Sequence, residues 1–277
     1  MSTTANRSCL LLAVLATVPS AVLAWGSDGH WAIGEIASHY LSPAAERQVS
    51  LLLEPGPYGT LAKAGYWADA HARLYRVYDE YLRRHYVNVD PSADSVDMAR
   101  DCPEDCILTA IADLSTRLVD RSRPQWQRAQ DFRFLIHFVA DLHQPLHVVH
   151  PDGRGGNRTE VTLLGEETNL HSVWDSGLIE RRLGAHSSWD VAPWKQWAWE
   201  LRSSIEPRER LQWEAITDPL DWAAEGIAPA RRLTFDVESG AALGEGYYEE
   251  AIPLVERRIQ MAAIRLATLL DNLLGED

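Results

Sequence analysis

Basic charge is scarce in this chain: 26 Lys and Arg stand against 40 Asp and Glu in 277 residues, a formal net charge of −14 at pH 7. That balance excludes a protein that grips nucleic acid by a broad basic face. It does not exclude a local phosphate-directed site, because bound cations can be the largest charges in a cleft. Cysteine is sparse too, with only Cys9, Cys102 and Cys106, so a four-thiolate metal site cannot form. No apolar run is long enough to span a bilayer, and no repeat, low-complexity tract or linker divides the chain.

The first 24 residues read as an export signal. Arg7 gives a weak positive start, Cys9 opens a short apolar stretch, and Val22-Leu23-Ala24 is a small-residue cleavage site. Cleavage after Ala24 leaves residues 25–277 as a single domain of a secreted or periplasmic protein, expected to be monomeric. Cys102 and Cys106 remain as Cys-Pro-Glu-Asp-Cys, an even pair that an oxidising compartment would close into a small local disulfide. The alternative is two reduced thiols at a helix start.

What is abundant is helical periodicity. Apolar residues recur at helical spacing over residues 29–41, and Ser42-Pro43 caps a second helix over residues 44–53. Further helices are predicted at residues 61–74, 106–119, 125–144 (ended by Pro145), 169–183 (ended by Gly184), 194–205, 208–217, 219–228 and 249–274. Residues 84–89 read as extended or irregular, and residues 159–164 alternate enough for a short strand or hairpin arm. The fold class is all-α with that one β segment. Six of the eleven tryptophans, at 189, 194, 197, 199, 213 and 222, cluster late. They read as helix-packing anchors, with a base-stacking platform as the other reading.

The chemistry concentrates between residues 137 and 175. His137-Phe-Val-Ala-Asp141-Leu-His-Gln-Pro-Leu-His147 is followed by His171-Ser-Val-Trp-Asp175. An i,i+4 spacing places His137 with Asp141, and His171 with Asp175, on one helix face each. Imidazole and carboxylate converging from two helices suit a borderline divalent metal, zinc first.

Trp25-Gly-Ser-Asp-Gly-His30, Trp67-Ala-Asp69, His85-Tyr86-Val-Asn88, the 137–147 block, Gly155-Gly-Asn157 and Asn169-Leu-His171-Ser-Val-Trp-Asp175 occur in that order. Together they resemble the S1/P1 nuclease family, zinc-dependent single-strand nucleases that share a fold with zinc phospholipase C. The resemblance implies three Zn²⁺. One would be held by Asp69, His85 and His137, with Asp141 bridging to a second that is completed by His30 and by the α-amine and carbonyl of Trp25. His147, His171 and Asp175 would hold the third. It also implies a water nucleophile activated by the ions, substrates among single-stranded DNA, RNA and nucleotides, 5′-phosphate products and 3′-nucleotidase activity. No stable protein partner is implied.

A carboxylate bridge at Asp141 can hold two ions about 3.5–4 Å apart, the arrangement for in-line phosphoryl displacement. Tyr86 and Asn88 fall where the family places base-binding contacts; the best-known fungal members carry an acid where this chain has Asn88. Asn157-Arg-Thr159 is a glycosylation sequon. His143 reads as a supporting or helix-end residue, and His39, His71, His150 and His186 as surface or core. The rival functions are a phospholipase C-like phosphodiesterase and a non-catalytic zinc-binding protein, the latter needing closed coordination shells.

Overall fold

A computed structural model describes residues 25–53, 56–72, 82–90, 92–184 and 192–275. The segment read as a signal, with its cleavage site, lies outside the described residues, as do His186 and Trp189. Helix α1 (Ser27–Ser38) buries Ile33, Ile36 and Ala37, as its spacing predicts. Helix α2 (Pro43–Leu52) begins where Ser42 accepts a hydrogen bond from the Ala45 N–H at 3.2 Å, with Pro43 at the first helical position.

The helix expected over residues 61–74 is two: α3 (Leu61–Gly65) and α4 (Trp67–Ala72), broken at Tyr66. The break has a use. It leaves the Gly65 carbonyl to accept a hydrogen bond from Nδ1 of His137 at 2.8 Å. Helix α5 (Met98–Asp101) has no periodicity signal in the sequence; Asp97 caps it with bonds to two backbone N–H groups. Its C-cap Cys102 is joined to Cys106, the N-cap of α6 (Ile107–Val119), by a disulfide with Cα atoms 5.5 Å apart.

Helix α7 (Gln125–Asp141) stops three residues short of the expected end. Tight turns at 142–144 and a 3₁₀ turn at Pro145–His147 take over, with Gln144 capping the latter. The strand expected at 159–164 is β1 (Glu160–Leu163), and β2 (Glu166–Asn169) pairs with it as a hairpin. Leu164 and Gly165, both at positive φ, make its two-residue turn. A third strand, β3 (Ala241–Leu243), lies parallel to β1, so the sheet order is β2-β1-β3.

The helix foreseen at 169–183 is interrupted: α8 (Leu170–Ser172), a π turn at Val173–Gly177, then α9 (Leu178–Leu183). A π turn inside a helix often marks a functional site. The remaining helices are α10 (Pro193–Ser204), α11 (Pro207–Glu214), α12 (Pro219–Thr234) and α13 (Glu245–Leu274). Helix α12 continues through Pro229, where the sequence suggests an end, because Ala230, Leu233 and Thr234 beyond it are buried. Helix α13 begins four residues early, so Pro253 lies inside it.

The fold is mostly α, with one main hydrophobic core and a small second cluster of Trp213, Met261 and Ile264. Helix α13 contributes to both and packs against α1, α2, α7, α9 and α11. Trp194, Trp197, Trp213 and Trp222 are buried packing anchors, whereas Trp199 is 59% exposed.

Candidate metal centre

Six local structures carry the eight histidines and aspartates singled out by spacing or resemblance. His30 lies on the first turn of α1, Asp69 on α4, His85 at the end of the Leu82–His85 3₁₀ turn, and His137 with Asp141 on the last two turns of α7. His147 ends the Pro145–His147 turn, and the α8 and π-turn segment supplies His171 and Asp175. None of the eight is more than 3% exposed. They converge into three groups: His30, His137 and Asp141; Asp69, His85 and His137; and His147, His171 and Asp175. Within each, one donor atom per residue lies within 4.8 Å of the others, so each group could hold a metal ion.

The ring orientations follow from backbone contacts. Nδ1–H of His137 donates to the Gly65 carbonyl (2.8 Å), that of His147 to the His85 carbonyl (2.6 Å), and that of His171 to the Gly155 carbonyl (2.7 Å). Each bond commits Nδ1 as a donor and turns Nε2 toward the cluster, the usual support for a metal-binding imidazole. Nε2 of His137 then lies 3.2 Å from Asp141 and 3.5 Å from Asp69. Nδ1 of His85 is 2.8 Å from Asp141, and Nε2 of His30 is 3.4 Å from it. Asp141 therefore stands among three imidazoles belonging to two groups. His30 also stacks on His137, with ring centroids 4.4 Å apart.

Burial and paired charges set the protonation states. Burial, followed by the neighbouring His137, drives the His30 pKa well below its ordinary value, and burial takes His147 down to about 3. Both rings are therefore neutral at pH 7. For His137 burial works in the same direction but is outweighed by Asp141 and Asp69, so its pKa rises to about 9. Burial opposes ionisation of Asp141 as well, yet His137 and His85 hold its pKa below the carboxylate range. Burial raises Asp175 to about 6.

Nε2 of His30, Oδ1 of Asp141 and Nε2 of His147 are buried with no hydrogen-bond partner among the described residues. Such atoms cost about 1–3 kcal/mol each when unsatisfied. Nitrogen and carboxylate oxygen donors grouped in this way fit divalent zinc, and the fit holds for all three groups.

A cavity of about 290 Å³ opens beside His147 and His171, lined also by Tyr86, Asn88, His150 and Asn157. Tyr86 is half-buried and packs edge-on to His150, with centroids 5.6 Å apart. The cavity wall requires Gly155: at φ +62°, a Cβ there would meet the Leu146 carbonyl at 2.7 Å. Asp152, which sequence reasoning missed, organises this loop by accepting hydrogen bonds from the N–H groups of Arg154, Gly156 and Arg158. Gln144 was missed too, although its place between Asp141 and His147 was a signal. His143 is buried but turned from the cluster: Nδ1–H donates to the Val139 carbonyl, and Nε2 accepts from Arg265 at 3.2 Å.

Trp25 is fully buried, its indole N–H donating to the carbonyl of Ala140, the neighbour of Asp141. The next N–H, from Gly26, donates to the Asp175 carbonyl at 2.7 Å. The Trp25 side chain and the Gly26 backbone are thus anchored beside Asp141 and at Asp175, members of two of the three groups.

Residues 25–275 match a family profile described as S1/P1 Nuclease. Nuclease P1 of Penicillium citrinum is 30% identical over 269 residues, which cover 91% of this chain and 99% of that protein. Endonuclease 2 of Arabidopsis thaliana is 30% identical over 270 residues, covering 91% of each. For Nuclease S1 of Aspergillus oryzae the figure is 29% over 266 residues, covering 89% of this chain and 91% of the relative. With near full-length likeness on both sides, this chain belongs to the S1/P1 nuclease family, as a nuclease that hydrolyses phosphodiester bonds.

Proposed function

We propose that this nuclease is a secreted endonuclease acting on single-stranded DNA and RNA at a centre of three Zn²⁺, releasing 5′-phosphate ends and also removing 3′-phosphates from nucleotides. The observation that carries the reading is the adjacency of the three buried His/Asp groups, with His137 shared between two of them. In this assignment Asp69, His85 and His137 hold one ion, His30 and the α-amine and carbonyl of Trp25 a second, and His147, His171 and Asp175 the third. Asp141 serves the first two. When bound, the ions supply Lewis acidity toward phosphate oxygens and lower the pKa of water.

The protein's own part is placement and charge. Three buried aspartates against three divalent ions leave the site formally positive, which reconciles an acidic chain with a polyanionic substrate. A free α-amine has a pKa near 7.7–8, so at neutral pH a metal competes with its proton on modest terms. That amine exists only after cleavage following Ala24. The hold on residues 25–26 by Ala140 and Asp175 supports its place in the centre. Tyr86 would stack on a base and Asn88 bond its edge at the cavity beside His147. A cavity of about 290 Å³ is at the small end of ligand sites, which suits a single unpaired nucleotide.

The disulfide fits an oxidising compartment. No described helix is long and apolar enough to cross a membrane, and we assign residues 25–277 to one domain acting as a monomer.

The test is to incubate zinc-loaded protein beginning at Trp25 with single-stranded DNA, RNA and phosphatidylcholine vesicles, with and without chelator. Cleavage of both nucleic acids to 5′-phosphorylated fragments, abolished by chelator, is the expected result. Lipid hydrolysis without nucleic-acid cleavage, or cleavage indifferent to chelator, would contradict it.

A further inference from the structure

Gln144 does not belong to any of the three groups, yet it is fully buried beside the third. Its side chain makes two hydrogen bonds with unequal consequences. Oε1 accepts from the Leu146 N–H at 2.5 Å, and Nε2 donates to Oδ1 of Asp175 at 2.5 Å. A backbone N–H can only donate, so the Leu146 contact fixes which way the amide points. The amide nitrogen is thereby committed to Asp175. The other carboxylate oxygen, Oδ2, lies 3.2 Å from Nε2 of His171. Main-chain geometry adds a third tie: the Gln144 N–H donates to the Asp141 carbonyl at 2.9 Å.

We propose that Gln144 is a positioning residue for the third metal group, an amide clamp that occupies Oδ1 of Asp175 so that Oδ2 is the oxygen offered alongside His171 and His147. This inference rests on the metal reading above and deepens it. The clamp acts on two ligands at once, because the turn that Gln144 caps ends in His147. Without the amide donor, Oδ1 would be a buried carboxylate oxygen with no hydrogen-bond donor among the described residues, and the carboxylate could rotate or take up a proton in place of a metal. Hydrogen-bond partners of metal ligands commonly account for about 10–100-fold in affinity.

Two substitutions separate the clamp from a merely structural cap. Gln144→Glu keeps the size of the side chain and an acceptor for the Leu146 N–H, but removes the donor to Asp175. Gln144→Met removes both. Zinc content and affinity are read by equilibrium dialysis at pH 8 against chelator-buffered free Zn²⁺, with near-UV circular dichroism as the check on folding. Both variants should hold two ions as the parent does and the third about 10–100-fold more weakly. The clamp is refuted if the Glu variant binds all three with parental affinity, since capping Leu146 would then be the residue's whole contribution. It is refuted equally if both variants lose all three ions together. Should Gln144→Met fail to fold, Gln144→Glu decides alone. A parent protein that takes up no zinc at all would remove the metal reading itself, a result distinct from either.

Discussion

Asp141→Asn should reduce kcat/KM by about 10³-fold or more, with loss of bound zinc and an unchanged far-UV circular dichroism spectrum. The carboxylate is wholly buried and faces His85 at 2.8 Å, His137 at 3.2 Å and His30 at 3.4 Å. Asparagine keeps the volume and one acceptor but loses the charge, and its NH₂ offers no lone pair to a cation. It cannot serve two cations as a carboxylate does. A thousandfold loss corresponds to about 4 kcal/mol of transition-state stabilisation, more than the removal of an ordinary surface contact could cause. Activity within tenfold of the parent would show that Asp141 is not shared between ions.

The second large effect concerns protons. In the metal-free protein His137 has its pKa raised to about 9 despite burial, because Asp141 and Asp69 outweigh desolvation. At pH 7 that ring carries a proton which metal must displace. Zinc uptake should therefore release this proton, and its apparent affinity should rise about tenfold per pH unit from this group alone between pH 7 and 9. Below pH 6 the slope should steepen, since Asp175, raised to about 6 by burial, must also be deprotonated.

Stability of the metal-free protein should move the other way. A folded pKa above the unfolded value of about 6.5 stabilises the native state fully below pH 6.5, and that contribution disappears as pH rises toward 9, on the order of 3 kcal/mol. Calorimetry in buffers of different ionisation enthalpy measures the released proton, and thermal unfolding of chelator-treated protein measures the stability change. Zinc affinity independent of pH over this range would show that His137 is not a ligand.

Much of the centre could be read from the chain because its spacings are local. His137 and Asp141, and His171 and Asp175, are set by helical geometry, and both pairs come within 3.2 Å. Asp69, His85 and His30 could be named only by resemblance. Nothing local reveals that the Gly65 and His85 carbonyls would orient His137 and His147. The same limit explains the missed breaks. Residues 61–74 hold no proline and read as one helical run, and the interruption after Gly65 serves a ring 72 residues further on. The π turn at Val173–Gly177 leaves the i,i+4 pairing of His171 and Asp175 in place while changing the helix around it. Strand β3 is three residues long and pairs with β1 from 80 positions further on, beyond any periodicity signal. Gln144 and Asp152 escaped notice because amides and aspartates in turns ordinarily bond only their own backbone.

The most direct measurement is the number of zinc ions on folded protein beginning at Trp25, by elemental analysis after equilibration with buffered Zn²⁺, set beside a version that retains residues before Trp25. Three ions per chain on the first and fewer on the second is the expected result, because the extended chain offers no α-amine at residue 25. A well-folded chain beginning at Trp25 that binds no zinc, or takes up only one ion under saturating supply, would contradict the trinuclear centre.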